Sequence, residues 1–263
     1  MMKSNNDSVL FTVNELGIAT VTLNTPEKHN AFDDLIIEQL TDIFNDISQR
    51  DDISIMILAA NGKSFSAGAD LGWMKRMANY SYEDNLKDAD ALAQMLKALN
   101  CLPQTTIAKV QGAAFGGAVG LASCCDIILA SAEASFCLSE VKLGLIPATI
   151  SPYVINVLGM KASRRYFLTA ERFSAQKAAQ LGLVDEVVSP ETLTDEVNTM
   201  VSKLLANGYQ ARQQAKNLIQ EVAFQTIDET LLKATSERIA TIRVSAEGQE
   251  GLSAFFEKRR PNW

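Results

Sequence analysis

The amino-acid sequence predicts an α/β fold whose last third turns helical, and three observations carry that expectation. Apolar runs of strand length, Ile53 to Ala59, Thr106 to Val110 and Ile127 to Ala130, alternate with stretches whose apolar residues recur at helical spacing. Such runs suit strands buried on both faces and joined by right-handed helical crossovers. From Pro147 onward the pattern reads as almost wholly helical, with candidate helices around 160–169, 174–181, 192–206, 210–223, 228–242 and 246–258. The 263-residue length and 47% hydrophobic content allow roughly 70–75 % of the unfolded surface to be buried.

Taken in order, Val9 to Val13 and Ile18 to Leu23 are β-prone runs around Asn14-Glu-Leu-Gly17, the signature of a hairpin with a longer turn. Thr25 to Ala31 forms a loop. Leu35, Ile36, Leu40, Ile43, Phe44 and Ile47 follow at helical spacing, with Asp33 or Asp34 placed to cap. The strand beginning at Ile53 ends at the turn signal Asn61-Gly62. Trp73 to Tyr82 reads as a mobile polar and aromatic stretch. A helix then carries Leu86, Ala89, Leu92, Met95, Leu96 and Leu99 on one stripe and stops before Pro103.

The net charge of −7 disfavours nucleic acid, whose binders present a basic face. Cys101, Cys124, Cys125 and Cys137 form no CxxC pair and read as small buried apolar groups in a reducing compartment. The first residues, Met1 to Asp7, lack the apolar segment of a secretory signal, and no run approaches the ~18 apolar residues of a membrane span. A cytoplasmic protein is expected, without a membrane partner. Carboxylates show no metal-ligand spacing. Gly62-Lys63-Ser64 lacks the opening glycine of a phosphate loop, and the one histidine, His29, is remote from Ser66, which excludes a serine triad as the default.

What remains is a pair of backbone-donor loops and a carboxylate. The strand around Ile107 ends in the glycine-rich turn Gly112-Ala-Ala-Phe-Gly-Gly117 and opens a helix, a place where free N–H groups meet negative charge. Ala67-Gly68-Ala69-Asp70 follows the preceding buried strand. If the two strands are neighbours, both loops share the sheet edge where ligands bind, and two N–H groups can converge on one carbonyl oxygen. Glu140 follows the third strand among Val141, Leu143 and Leu145, where a raised pKa would let it trade protons. Two plainer readings stand beside these: the glycines only allow close helix packing, and Glu140 is an edge carboxylate paired with Lys142 or Lys63.

Pro26-Glu-Lys-His-Asn-Ala31, Phe65-Ser-Ala-Gly-Ala-Asp70, Gly112 to Gly117, Cys125-Asp126, Ser139-Glu140, Gly144-Leu-Ile-Pro147, Thr169-Ala-Glu-Arg-Phe173, Ala178 to Val184 and Phe255 to Pro261 occur together in one order. In that combination the chain resembles the crotonase (enoyl-CoA hydratase/isomerase) superfamily over nearly its whole length. The resemblance implies a spiral of ββα units in residues 1–195 and a helical oligomerisation region in 196–263, assembling as a homotrimer or a dimer of trimers. It implies an acyl-CoA thioester whose carbonyl is held by the N–H groups of Ala69 and Gly117, with Glu140 as acid or base and coenzyme A as part of the substrate rather than a cofactor. Ala67, Asp70, Leu71, Gly72 and Gly116 would line the thioester. Lys28 and Ala31 match positions near the CoA nucleotide, and Lys258 a basic residue that reaches CoA phosphate from an adjacent subunit.

One departure stands out. Hydratases of this family carry two glutamates, and Gly120 occupies the place of the first. Single-glutamate members include Δ3,Δ2-enoyl-CoA isomerases. The phrases around Gly112 and Gly144 are similar to bacterial methylglutaconyl-CoA and isohexenylglutaconyl-CoA hydratases, which implies a hydratase of a branched or carboxylated thioester. Isomerase and a non-catalytic acyl-CoA binder remain alternatives.

Overall fold

A computed structural model describes residues 8–263; the stretch Met1 to Asp7, read above for a leader segment, lies outside them. The described residues fall into two compact units that part between Asn198 and Thr199.

In the first unit, β1 (Val9–Val13) and β2 (Ile18–Leu23) form the expected antiparallel hairpin. The next strands, β3 (Ile55–Ala60), β4 (Thr105–Val110), β6 (Ile127–Ser131) and β9 (Glu186–Val188), add in parallel, giving the order β1-β2-β3-β4-β6-β9. The registers Ile57↔Ile107 and Ala108↔Ile128 make β3, β4 and β6 immediate neighbours. Their C-terminal ends therefore leave the sheet at one edge, as two converging loops require. Helix α1 (Asp34–Ser48) is capped by Asp33, whose side chain accepts from the Ile36 N–H. Its Leu40, Phe44 and Ile47 share the core with Met95, Leu96 and Leu99 of α3 (Tyr82–Asn100).

A second, three-stranded sheet stands beyond that edge: β5 (Ala113–Phe115), β7 (Ser135–Cys137) and β8 (Phe173–Ser174). These strands of two or three residues carry too little sequence for a periodic signal. Helix α4 (Gly117–Ser123) follows β5 directly, with Ala118 to Ser123 all buried.

Three expectations need correction. Of the four cysteines expected to be buried, Cys124 and Cys137 are, whereas Cys125 is half-buried and Cys101, which follows the last residue of α3, is exposed. The stretch after Asp70 is not a mobile loop: α2 (Leu71–Met77) forms there, capped by Asp70 and anchored by Trp73, which is 3% exposed. The region after Pro147 is not purely helical, because β8 and β9 interrupt α5 (Ser151–Thr169), α6 (Ala175–Gln180) and α7 (Leu193–Leu205), and β9 extends the main sheet. Glu186-Val-Val188 is half-buried at a sheet edge and too short to outweigh its helical flanks.

The second unit holds α8 (Tyr209–Val222), α9 (Glu229–Val244) and α10 (Ala246–Glu257). Their exposed apolar side chains include Ile219, Ile239, Leu252, Phe255 and Phe256. Among the described residues, no helix is long and apolar enough to cross a membrane.

Candidate active site

The loop after β3 is held by hydrogen bonds to its own backbone. Asn30, 1% exposed, donates through Nδ2 to the carbonyls of Asn61 and Ser64, and Gln111 Nε2 donates to the carbonyls of Ala60, Gly62 and Ser64. These bonds satisfy carbonyls that would otherwise be lost where the strand ends. The loop then docks on β5: Ser66 N–H donates to Ala113, and Phe115 N–H donates to Ser66. Further on, Phe32 pairs in parallel with Ala69, through Phe32 N–H to Gly68 O at 2.9 Å and Asp70 N–H to Phe32 O at 3.0 Å. Backbone groups alternate sides along an extended segment. The N–H of Ala69 therefore turns away from Phe32, toward β5 and the start of α4.

The second donor lies there. Gly116 has φ of 55°, which only glycine adopts without strain, and its own N–H donates to Cys137 O at 2.8 Å. The turn leaves the Gly117 N–H at the start of the helix. Among the described residues, neither the Ala69 nor the Gly117 N–H has a backbone or side-chain acceptor.

Three side chains from distant parts of the chain sit on the glycines of this turn. A Cβ built on Gly116 would lie 3.3 Å from Glu140 Oε1, one on Gly117 2.6 Å from the Phe32 ring, and one on Gly120 2.3 Å from Ile150 Cγ2. Gly116 immediately precedes α4 and Gly120 lies in its first turn, so Glu140 and Ile150 both meet the head of that helix. Glu140 opens a short 3-10 turn, Glu140–Leu143, beyond β7. Its Oε2 is buried without a hydrogen-bond partner, and among the described residues it forms no ion pair with Lys142 or Lys63. Burial pushes its carboxyl pKa up, opposed by a hydrogen bond to its own backbone. A carboxylate held beside two unused N–H donors can move a proton at a carbon next to a carbonyl whose oxygen those donors hold.

The chain's sequence agrees with this geometry: the family model described as enoyl-CoA hydratase/isomerase matches residues 14–263. The chain belongs to the enoyl-CoA hydratase/isomerase family. A crystal structure of an enoyl-CoA hydratase from Shewanella pealeana matches with a TM-score of 0.94 at 48% identity, covering 98% of this chain and 97% of that one. A mitochondrial enoyl-CoA hydratase from Pongo abelii is 31% identical over 94% of this chain and 83% of its own length. A trans-2-decenoyl-[acyl-carrier-protein] isomerase from Streptococcus mutans is 30% identical over 97% of both chains. The α/β fold and the enzyme class read from the sequence hold for this member of the enoyl-CoA hydratase/isomerase family.

Of the residues singled out in the sequence, Ala69, Gly116, Gly117 and Glu140 come together. Asp70 is occupied elsewhere: its Oδ1 accepts from the N–H groups of Gly72 at 2.7 Å and Trp73 at 3.0 Å, and its Oδ2 lies 3.7 Å from Lys28 Nζ. The Trp73 N–H, with burial opposing it, holds the Asp70 carboxyl below its usual range. Its observed role is thus to start α2 beside the donor loop. Ala67 is exposed and donates to His29 O, Ala31 donates to Lys28 O, and Leu71 and Gly72 are exposed on α2. Lys258 is an exposed residue of the second unit, in the left-handed turn after α10. Phe32, Ile150 and the bond from Trp73 Nε1 to Asp88 at 3.1 Å were not singled out in the sequence. Phe32 had a usable signal, an apolar aromatic just past a polar loop; Ile150 had none, because only the fold brings it to Gly120.

Proposed function

We propose that this chain hydrates an enoyl-CoA thioester, with Glu140 as its one acid–base group and the N–H groups of Ala69 and Gly117 as an oxyanion hole. The observation that carries the reading is the buried, partnerless Oε2 of Glu140 next to Gly116. As water adds, its oxygen bonds to C3, one O–H bond breaks and a proton arrives at C2. The two N–H groups hold the thioester oxygen while it carries enolate charge, and one such donor is worth ~3 kcal/mol of barrier. Glu140 takes the proton from water and returns it to C2.

The proposed substrate is a branched or carboxylated enoyl thioester of the methylglutaconyl type, supported by the motif likeness and by the single protein carboxylate, which a substrate carboxylate would supplement. Ala67, Asp70, Leu71 and Gly72 would border the thioester, Lys28 and Ala31 the CoA nucleotide, and Lys258 a CoA phosphate of a neighbouring subunit in a trimer or a dimer of trimers. Residues 1–195 would form the catalytic core and 196–263 the oligomerisation region of a cytoplasmic enzyme with no cofactor beyond the substrate's CoA. A second reading, Δ3,Δ2-enoyl-CoA isomerase, is favoured by Gly120, since one carboxylate suffices to carry a proton between C2 and C4.

Incubation with crotonyl-, 3-hexenoyl- and 3-methylglutaconyl-CoA in deuterated water, followed by mass spectrometry, separates the readings. Addition of water to a 2-enoyl thioester supports the hydratase. Deuterium incorporation with double-bond migration in 3-hexenoyl-CoA, and no hydration, supports the isomerase. No change in any substrate overturns both in favour of a binder.

A further inference from the structure

Gly120 departs from the two-glutamate pattern, and the space its missing side chain would take is filled. Ile150 Cγ2 lies 2.3 Å and Ile150 Cβ 2.7 Å from where a Cβ on residue 120 would be. Ile150 is 2% exposed and belongs to the main core. It is also fixed from its own side. It caps α5, its carbonyl accepts from the Val154 N–H at 3.1 Å, and the preceding turn is closed by Ser151 Oγ donating to Ala148 O at 2.7 Å. A β-branched side chain so anchored has one preferred rotamer and little freedom to withdraw.

The position matters because of what stands next to it. Glu140 meets Gly116, the residue before α4, and Ile150 meets Gly120 in its first turn, so both border the flank at the head of that helix. A second acid, or a water fixed for attack at C3, would be held on this flank beside Glu140. We infer that Ile150 is a specificity-determining residue, whose side chain seated on Gly120 keeps this flank apolar and closed, so that Glu140 alone moves protons at the acyl carbons. The inference rests on the proposed role of Glu140. It adds that the balance between simple proton exchange, which needs one base, and hydration of an uncharged enoyl thioester, which gains from a second polar group, is set by residue 150.

The test compares two rates in each variant: α-proton exchange of butyryl-CoA in deuterated water, and hydration of crotonyl-CoA. Ile150→Thr keeps the β-branched shape and places a hydroxyl on the flank; the expected result is a hydration-to-exchange ratio at least fivefold above wild type, carried by kcat rather than KM. Gly120→Glu alone is expected to lower the melting temperature and both rates, because the new side chain meets Ile150. Gly120→Glu with Ile150→Ala relieves that overlap, and the expected ratio rises tenfold or more, with a second ionisation in the pH profile of hydration. A ratio within twofold of wild type in a folded double variant, or in Ile150→Thr where the double variant does not fold, overturns the role of Ile150. Failure of wild-type protein to exchange the α-proton of bound butyryl-CoA overturns the reading of Glu140, and this inference with it.

Discussion

Replacing Phe32 with leucine separates the packing of the donor turn from its chemistry. Phe32 is 2% exposed, its backbone bonds to Gly68 and Asp70 on either side of Ala69, and its ring tip rests on Gly117. Leucine keeps the backbone bonds and most of the burial but withdraws the atoms that touch Gly117. For a core change of this size the expected loss of stability is roughly 1–2 kcal/mol, a fall in melting temperature of about 2–4 °C per kcal/mol. The catalytic cost is bounded by the worth of one oxyanion donor, ~3 kcal/mol or about a hundredfold in kcat. A partial displacement of the Gly117 N–H is expected to cost about tenfold, with KM for the acyl-CoA little changed. Steady-state kinetics with a hydrated substrate, alongside thermal melting, provide the assay. A melting temperature lowered as expected with kcat within twofold of wild type would refute the claim that Phe32 positions the donor.

Glu140→Gln is expected to abolish turnover while retaining acyl-CoA binding by calorimetry; wild-type-like turnover removes Glu140 from the mechanism. Because burial raises the Glu140 pKa, the folded state holds that proton more tightly than the unfolded chain, so ionisation costs stability as pH rises through and beyond the ordinary carboxylate range. The same variant is therefore expected to melt above wild type at neutral pH and to converge with it near pH ~4, the ordinary glutamate value; a lower melting temperature at neutral pH contradicts the burial. In wild type, kcat/KM is expected to fall on acidification with a midpoint above that ordinary value, since the proposed role of Glu140 requires its ionised form. Asp70→Ala removes the cap of α2 at a cost of ~1 kcal/mol. The depressed Asp70 pKa means that this stabilisation is present above the ordinary carboxylate range and is lost as pH falls through the depressed value. Differential melting across pH checks both. Trp73→Phe is expected to cost ~1 kcal/mol by deleting the bond to Asp88, whose carboxyl burial already pushes up; no change in melting temperature would remove that bond from the account of α2.

Elements with a long periodic signal were legible from the sequence. The hairpin, α1, α3 and the three central parallel strands announce themselves through apolar runs and a capping aspartate, and they fix the sheet edge on which the two loops meet. The short strands β5, β7, β8 and β9 were not legible, since their pairing is decided by partners remote in the chain. The same division runs through the site. The donor loops are local glycine patterns. Phe32 and Ile150 act through contacts with Gly117 and Gly120 that no local window contains. Asp70 was visible as a polar residue in a motif, yet its two bonds to the start of α2 make it a cap.

The covered glycines also bear on the order in which the molecule comes together. Segments around Phe32, Glu140 and Ile150 all end on one short turn at the head of α4, each from a different stretch of chain. Phe32 and Gly117 lie much farther apart in the chain than the paired residues Ile57 and Ile107 of β3 and β4, so that contact carries the larger loop-closure cost and tends to form late. A chain with its hairpin and parallel strands paired but any one of the three segments undocked has a sheet without the assembled turn that the proposed chemistry requires. Recovery of activity on refolding is therefore expected to lag behind recovery of secondary structure, making turnover a reporter of the last docking events rather than of collapse.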